Sequence, residues 1–487
     1  DYTISEDDEG LIFTLKSSFL NSLGITYYEE PHRIWIHFDS GLPVLITIEV
    51  TENLEAYTVR DNPDLAYDSE NNRYLMVYER DIAEYIYSEI WGRFITAEGI
   101  LGKEFKISSE ERCHAPKVVY NPDNNDFLVV WWQEGYPDKM YAQIIDEEWG
   151  TNSELENFLV CPDEESSADQ HYPAVAVNTA GDEYLVAWIE ADEVEYAKKV
   201  IYGQRLNYNG ERINEDKLNL TNDIVSSKLN PSLVFAGNKY ILIFESDINE
   251  DDDDKEIMGV SLTSAGVFYE EIEIDTDGKW NCVPTITGSN DDGLFLVVWI
   301  EFEETKTIYG RFINAEGTVG EDFPIRQSEE DLFRPSVALN TTNGSYLIAW
   351  ENEYSVCTQQ LTEEGMTLGI PEEISSDEGW NSNIKVVYNP DEGNYLVAYE
   401  NYGEGNTRIG ITILSVPEEA LKIKEKLLAA GETHSLVVRD GHVWSTGYSN
   451  ASYTLGLSPV EELDGVVVVS ANDSYSLALK EDRTVWA

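Results

Sequence analysis

The apolar residues of this chain lie in short runs between turn residues, and the runs recur in copies of one pattern. Each copy opens with a strand-like run directly behind a proline, as in 116–121 and 335–340. Copies follow one another at intervals of roughly 50 residues, a period typical of repeat architectures. The opening positions are Pro63, Pro116, Pro173, Pro231, Pro284 and Pro335, with Ile384 in the last copy.

The second run of every copy is apolar at nearly all positions and carries two aromatic residues. The pairs are Tyr74/Tyr78, Phe127/Trp131, Tyr184/Trp188, Tyr240/Phe244, Phe295/Trp299, Tyr346/Trp350 and Tyr395/Tyr399. A strand that faces water on one side alternates apolar and polar residues, whereas a continuous apolar run must be covered on both faces. We therefore expect these strands to lie inside stacked sheets.

A third run carries a glycine, as Gly310 in 308–313, and a fourth run such as 321–325 follows a turn. Glycine inside a strand marks a place where a neighbouring group presses closely. Four antiparallel strands per copy, with both faces covered and almost no helical periodicity, are typical of propeller blades. The sequence predicts an all-β fold, a seven-bladed β-propeller of four-stranded blades.

The ends of the repeat region predict how the ring closes. The last copy lacks a fourth strand after 411–414, and 55–59 has the pattern of one. We expect 55–59 to pair as the outer strand of the last blade, which removes the open sheet edges. The predicted domains are a β-rich N-terminal segment at 1–53, the propeller at 54–424 and a separate region at 425–487.

The C-terminal region resembles repeats of the regulator of chromosome condensation (RCC1) family. Residues 430–444, followed by Gly447, Asn450, Leu455 and Gly456, are similar to one repeat, and 474–486 to the start of a second. Arg483 stands where the family prefers glycine. The resemblance implies the start of a second RCC1-like propeller or repeat array, which would need further repeats to be complete.

The copies within 54–424 resemble propeller repeats of large bacterial and archaeal surface proteins, through stretches such as 184–188. That resemblance implies a scaffold located outside the cell or on its surface, and it implies no reaction. Seven-bladed propellers serve many functions, so function has to be argued from a site.

Charge and composition narrow the class of protein. With 93 Asp and Glu against 32 Lys and Arg the net charge is −61, so we expect no nucleic-acid partner. A hydrophobic content of 42%, with 12 Trp and 29 Tyr, excludes a disordered acidic chain. No apolar run approaches the ~18 residues that span a bilayer, so no membrane insertion is expected.

The chain has four cysteines, Cys113, Cys161, Cys282 and Cys357. No two of them form a C-x-x-C motif, which argues against a zinc site or a thioredoxin-type motif. A disulfide between two of the four remains an open alternative.

The loops between second and third strands are rich in acids, most of all in residues 245–256. The metal candidates there are Asp251, Asp252, Asp253 and Asp254. Calcium takes six to eight oxygen ligands from carboxylates, carbonyls and water, so calcium is the candidate cofactor. The alternative is a solvated charged loop that keeps the protein in solution.

Aromatic residues and histidines flank the opening prolines, near the expected mouth of the central channel. The candidate ligand-binding residues are His114, His171, Tyr172, Trp280, Phe333 and Trp380. Aromatic rings beside carboxylates suit a sugar- or peptide-binding surface. The alternative is that these rings pack connecting segments against the inner strands.

The chain carries no complete catalytic signature. Residues 375–379 match half of the Asp-box of sialidase-type propellers, and no Gly-x-Ser-x-Gly elbow occurs. We therefore predict a non-catalytic extracellular or cell-surface scaffold whose propeller faces contact a glycan, a protein partner or a neighbouring copy. The alternative is a secreted glycan-active enzyme with an acidic site on a propeller face, because a catalytic acid pair could lie among 93 carboxylates.

Overall fold

The computed structural model describes 2–7, 10–15, 34–37, 45–47, most of 59–415 and seven strands within 428–486. The gaps inside 59–415 are 83–86, 147–156, 162–167, 192–198, 222–225, 248–254, 278, 289–292, 304, 376–379 and 404–405. All regular secondary structure in this part of the chain is strand, so the all-β prediction is confirmed. The described residues contain no helix that could span a membrane. The chain divides into two compact units, Asp1–Ser415 and Val416–Ala487.

The N-terminal strands form one antiparallel sheet in the order β1-β2-β3-β4. They are β1 (Tyr2–Asp7), β2 (Gly10–Leu15), β3 (Ile34–His37) and β4 (Leu45–Thr47). The fold of this segment could not be specified from its sequence, which has no repeat to guide the assignment.

Between Arg60 and Ser415 the strands form consecutive antiparallel modules. The first four are β5–β8 (Arg60–Asp68, Arg73–Ile82, Tyr87–Thr96, Leu101–Lys106), β9–β12 (Cys113–Asn121, Asp126–Gln133, Lys139–Ile145, Phe158–Leu159), β13–β16 (Gln170–Asn178, Glu183–Ala191, Lys199–Asn207, Leu218–Asn219) and β17–β20 (Ser227–Ala236, Lys239–Asp247, Lys255–Thr263, Phe268–Asp275). The others are β21–β24 (Trp280–Gly288, Leu294–Phe302, Lys306–Asn314, Val319–Ser328), β25–β28 (Leu332–Leu339, Tyr346–Asn352, Ser355–Leu361, Thr367–Glu373) and β29–β31 (Trp380–Asn389, Asn394–Gly403, Asn406–Ser415). These are the stacked sheets of a β-propeller.

The first strand of each module lies beside the first strand of the next, and β29 lies beside β5. Hydrogen bonds join the two end modules, from Tyr67 Oη to Asp391 Oδ2 at 2.8 Å and from Tyr74 Oη to Asn394 Oδ1 at 3.2 Å. The strands β5, β9, β13, β17, β21, β25 and β29 thus form an inner ring, and we call them the inner strands.

The second strands fill the space between modules, as predicted from their continuous apolar character. Trp131, Trp188 and Trp299 are fully buried. One core cluster joins Leu75 and Val77 of β6 to Val129 and Trp131 of β10. At ~25 cal/mol per Å² of apolar surface, this burial between sheets is the main stabilising contribution to the fold.

The predicted closing strand 55–59 falls almost wholly outside the described residues, and Val59 is not in a strand. Among the described strands, β4 lies beside β31, the last strand of the last module. The second unit contains two antiparallel sheets, β32–β35 (Leu428–Ala430, His434–Arg439, His442–Ser449, Ser452–Pro459) and β36–β38 (Val466–Ala471, Ser476–Lys480, Val485–Trp486).

Candidate functional site

Each inner strand begins with the same irregularity. The residue before the opening proline, or before Ile384, has a left-handed backbone, and the two residues bulge out of the pairing with the second strand. Proline is tolerated at such bulges because it has no N–H to donate to the ladder. The left-handed residues are Asn62, Ala115, Tyr172, Asn230, Val283, Arg334 and Asn383. We call the end of the ring where they lie the mouth.

Four of these bulges donate their N–H to a buried glutamate of the preceding module. Glu79 accepts from Ala115 N at 2.7 Å, and Glu245 accepts from Val283 N at 2.7 Å. The other two contacts join Glu351 to Asn383 N at 2.8 Å and Glu400 to Asn62 N. A carboxylate that accepts a backbone N–H is a strong, charge-assisted partner. These glutamates therefore hold adjacent modules together at the mouth.

Asp61 differs from the residues at the same position of the other modules, because it is an acid placed among these glutamates. It lies directly opposite Glu79 across β5 and β6. Burial, followed by the charges of Glu79, Glu400 and Asp81, raises the pKa of Asp61 to about 8. Its Oδ1 is buried and has no hydrogen-bond partner among the described residues. Asp61 is therefore a carboxylic acid that holds a proton at neutral pH.

Glu79 is held in place by three donors. Its Oε1 accepts from Ala115 N at 2.7 Å and from Asn62 Nδ2 at 2.6 Å, and its Oε2 lies 3.1 Å from His114 Nδ1. His114 Nε2 lies 3.3 Å from Glu134 Oε1. Burial alone would lower the pKa of His114, but Glu79 and Glu134 together raise it. Two acceptors on one imidazole suit the protonated ring, which donates at both nitrogens.

Glu400 is also surrounded by donors. Its Oε1 accepts from Asn62 N and from Asn383 Nδ2, the latter at 2.6 Å. Its Oε2 accepts from Ser382 Oγ at 2.7 Å and Tyr402 Oη at 2.8 Å. In all four contacts the Glu400 oxygens act as acceptors. The mouth thus places one proton-bearing acid between two carboxylates that are held by donors.

Aromatic rings continue from this cluster along the mouth. The ring centroids of His114 and Trp132 are 4.4 Å apart, those of Trp132 and His171 are 4.4 Å apart, and those of His171 and Tyr172 are 6.2 Å apart. The structure thus brings together three of the predicted ligand-binding residues, through Trp132, which sequence reasoning missed. Trp132 directly follows the fully buried Trp131, and only the strand register shows that it faces His114.

The other predicted ligand-binding residues lie elsewhere on the ring. Trp280 contacts Phe302 at 5.1 Å between ring centroids, and Phe302 contacts Phe333 at 5.9 Å. Trp380 lies 6.3 Å from Tyr354 and is 59% exposed. The six candidates therefore form three separate groups, and only the group around His114 adjoins the acid cluster.

The metal candidates Asp251, Asp252, Asp253 and Asp254 lie outside the described residues. Within the described residues, the carboxylates of Asp275, Asp277 and Glu301 lie close enough together to hold a cation. Lys279 Nζ lies 2.9 Å from Asp277 and 2.7 Å from Glu301, so a lysine ammonium already pairs with two of the three carboxylates. The part of the Asp-box-like segment at 376–379 is also outside the described residues.

No protein-family model and no curated protein matches the chain. Solved structures share its fold. A puromycin hydrolase mutant in complex with PGG matches at 11% identity with a TM-score of 0.50, over 73% of this chain and 52% of that chain. This chain therefore spans about half the length of the puromycin hydrolase. At such identity the likeness shows the fold, a β-propeller.

Two further solved structures are similar at lower TM-scores. A Hadza microbial sialidase matches at 8% identity with a TM-score of 0.44, over 70% of this chain and 76% of that chain. The β-propeller domain of the trilobed protease from Pyrococcus furiosus matches at 10% identity with a TM-score of 0.44, over 73% of this chain and 95% of that chain.

The prediction of a non-catalytic scaffold is wrong, and so is the expectation that the chain is not an enzyme. The solved structures of similar fold are enzymes by name, among them an endo-arabinase, sialidases, an arabinofuranosidase and a puromycin hydrolase, and the likeness itself shows the fold alone. The prediction relied on the lack of a catalytic motif. A pair of acids leaves no motif when strand register, rather than sequence spacing, brings the two residues together.

Proposed function

We propose that this protein is a glycan-active hydrolase whose catalytic acids are Asp61 and Glu79. The observation that carries the proposal is the buried oxygen of Asp61, which has no hydrogen-bond partner among the described residues and lies directly opposite a carboxylate held by Ala115 N, Asn62 and His114. The raised pKa of Asp61 agrees with this geometry. Glycoside hydrolysis requires one acid that is protonated at the working pH and one carboxylate that is not.

In the proposed reaction Asp61 gives its proton to the glycosidic oxygen as the bond to the anomeric carbon breaks. Because Asp61 and Glu79 are directly opposite each other, Glu79 attacks the anomeric carbon itself and forms a glycosyl ester as that bond breaks. Asp61, now ionised, then takes a proton from the water that cleaves the ester, which releases the sugar and restores both groups. Glu400 contributes by its negative charge, which raises the pKa of Asp61 and keeps its proton in place.

The aromatic row provides a surface for the sugar. Trp132, His171 and Tyr172 continue directly from His114, and Tyr172 is 49% exposed. Aromatic faces cover the apolar side of a sugar ring, while carboxylates accept from its hydroxyl groups. This supports a glycan, rather than an apolar ligand, as the partner at this face.

Hydrolysis of a polysaccharide panel tests the proposal. We expect Asp61→Asn and Glu79→Gln to reduce kcat/KM by about a hundredfold or more, because the first removes the general acid and the second the nucleophile. Glu245→Gln is the matched control, because Glu245 makes the same kind of link to Val283 N but lies opposite Leu229, not opposite an acid. Equal activity of the wild type and both acid variants on every substrate would overturn the proposal.

The pH profile provides a second readout. Because Asp61 has to be protonated, activity should fall as the pH rises through about 8, the pKa of Asp61. Glu245→Gln should keep this fall unchanged. An activity that still rises above pH 9 would show that Asp61 is not the acid.

Four further predictions from the sequence also belong to this proposal. We propose seven blades, domain boundaries at 1–53, 54–424 and 425–487, partial RCC1-like repeats in the last region and an extracellular or cell-surface location. Limited proteolysis followed by mass determination tests the boundaries, and labelling of intact cells with a membrane-impermeant reagent tests the location.

A further inference from the structure

Two lysines and one aspartate stand at the same position of three neighbouring inner strands. Asp64 follows Pro63 on β5, Lys117 follows Pro116 on β9, and Lys385 follows Ile384 on β29. Asp64 Oδ2 accepts from Val118 N at 2.9 Å, and Lys385 Nζ lies 3.8 Å from Asp64 Oδ1. The corresponding residues of the other modules are neutral: Ala174, Ser232, Thr285 and Ser336.

The charges at this level of the ring do not balance. Lys385 pairs with Asp64, whose other oxygen is already engaged by a backbone N–H, and Lys117 adds a second ammonium group beside Lys385. The charge of Lys117, followed by burial, lowers the pKa of Lys385 to about 8, which shows how strongly the two ammonium groups repel each other. An added anion would relieve this repulsion.

Solvent reaches Lys385, whose side chain is 35% exposed. A cavity of about 330 Å³ lies farther along β29, against Val386 and Val387, and neither lysine lines it. Asp64 lies three residues after Asp61 on β5, so the two aspartates lie within about 10 Å of each other along the strand, with the lysines on the neighbouring inner strands. That distance is spanned by one or two sugar units.

We propose that Lys117 and Lys385 bind the carboxylate of an acidic sugar, so that the substrate is a uronic-acid-containing polysaccharide. This inference rests on the proposed function for the identity of the ligand. A chain with a net charge of −61 repels anionic polymers, so binding one requires local positive charge at the site. The lysine pair supplies it beside the proposed catalytic acids.

Calorimetric titration at pH 6.5 with oligogalacturonate, and with neutral galacto-oligosaccharides of the same length, tests the proposal. We expect tighter binding of the acidic oligosaccharide. Lys117→Met and Lys385→Met should each weaken it about ten- to a hundredfold, the effect of losing one charge-assisted contact. Asp64→Asn should strengthen it, because the competing carboxylate is gone while an oxygen that accepts from Val118 N remains. Lys103→Met, an exposed lysine, is the control and should change nothing.

The outcomes separate this inference from the proposed function. Oligogalacturonate binding that depends on both lysines, without hydrolysis of any acidic glycan, supports the anion site and removes the hydrolase. Hydrolysis of a neutral glycan, with binding and kcat/KM unchanged in both lysine variants, overturns the anion site and leaves the hydrolase. Equal affinity for acidic and neutral oligosaccharides also overturns the anion site. Melting temperatures of each variant show that the proteins compared are folded.

Discussion

Asp61 links function to stability at the scale of single residues. Its pKa is about 8 in the folded protein and 3.8 is the ordinary value, so between these values the folded state binds the extra proton. Folding stability contributed by this group therefore falls as the pH rises from about 4 to about 8, and stays constant above that.

We expect Asp61→Asn to remove this dependence. Near pH 5 the variant and the wild type should have similar stability, because Asp61 is protonated in the folded protein. At pH 8.5 the variant should be more stable, on the order of 4 kcal/mol. Urea unfolding at both pH values measures the difference. Glu316→Gln removes an exposed charge and is the control; if it produced the same pH-dependent gain, general repulsion would explain the effect.

The sequence already contained part of this site. His114, His171 and Tyr172 were identifiable because they stand at the start of predicted strands, beside the opening prolines. Asp61 stands at the same kind of position, two residues before Pro63, but its importance depends on Glu79 and Glu400. Glu400 belongs to the other end of the repeat region, and only ring closure brings it to Asp61.

At the scale of strands and modules, the links between buried glutamates and bulge N–H groups are the recurring contact. We expect Glu245→Ala to destabilise the protein by about 2–4 kcal/mol, because it leaves Val283 N without its acceptor and Lys255 without its ion pair. Glu245→Gln keeps an acceptor oxygen and should cost about 1 kcal/mol. Denaturant unfolding of the two variants measures this, and equal losses would show that the hydrogen bond to Val283 N contributes little.

Strand-scale features were the most predictable part of the fold, because burial on both faces leaves a continuous apolar run. The glycine of the third strand also has the expected cause. A Cβ at Gly310 would lie 2.8 Å from the ring of Phe323 on the fourth strand. Ring closure was harder to predict, since a single strand outside the repeat has no second copy to compare with.

At the scale of the whole molecule, charge is the dominant property. A net charge of −61 makes the folded state repel itself, and salt screens exposed charges beyond ~8–10 Å at physiological ionic strength. We expect raising NaCl from about 10 mM to about 0.5 M to increase the melting temperature by about 5 °C. A melting temperature independent of salt would show that the acidic groups are already compensated.

Calcium and magnesium at equal ionic strength separate screening from binding. Screening treats the two ions alike, whereas irregular oxygen ligands at Asp251, Asp252, Asp253 and Asp254 favour calcium. We therefore expect a larger increase in melting temperature with calcium. Replacing these four residues with asparagine should remove the excess, and a calcium effect equal to that of magnesium in the wild type would leave screening alone.

The links between modules all run in one direction, from a glutamate of one module to the bulge of the next, and one of them joins the last module to the first through Glu400 and Asn62. In an open array a terminal repeat can fray while its neighbours stay folded, so that unfolding proceeds from the ends. Because such a link also joins the last module to the first, the ring offers no terminal repeat from which to start. The ring should therefore unfold as one cooperative unit, and its kinetic resistance to unfolding should depend on the junction between the first and last modules more than on any other.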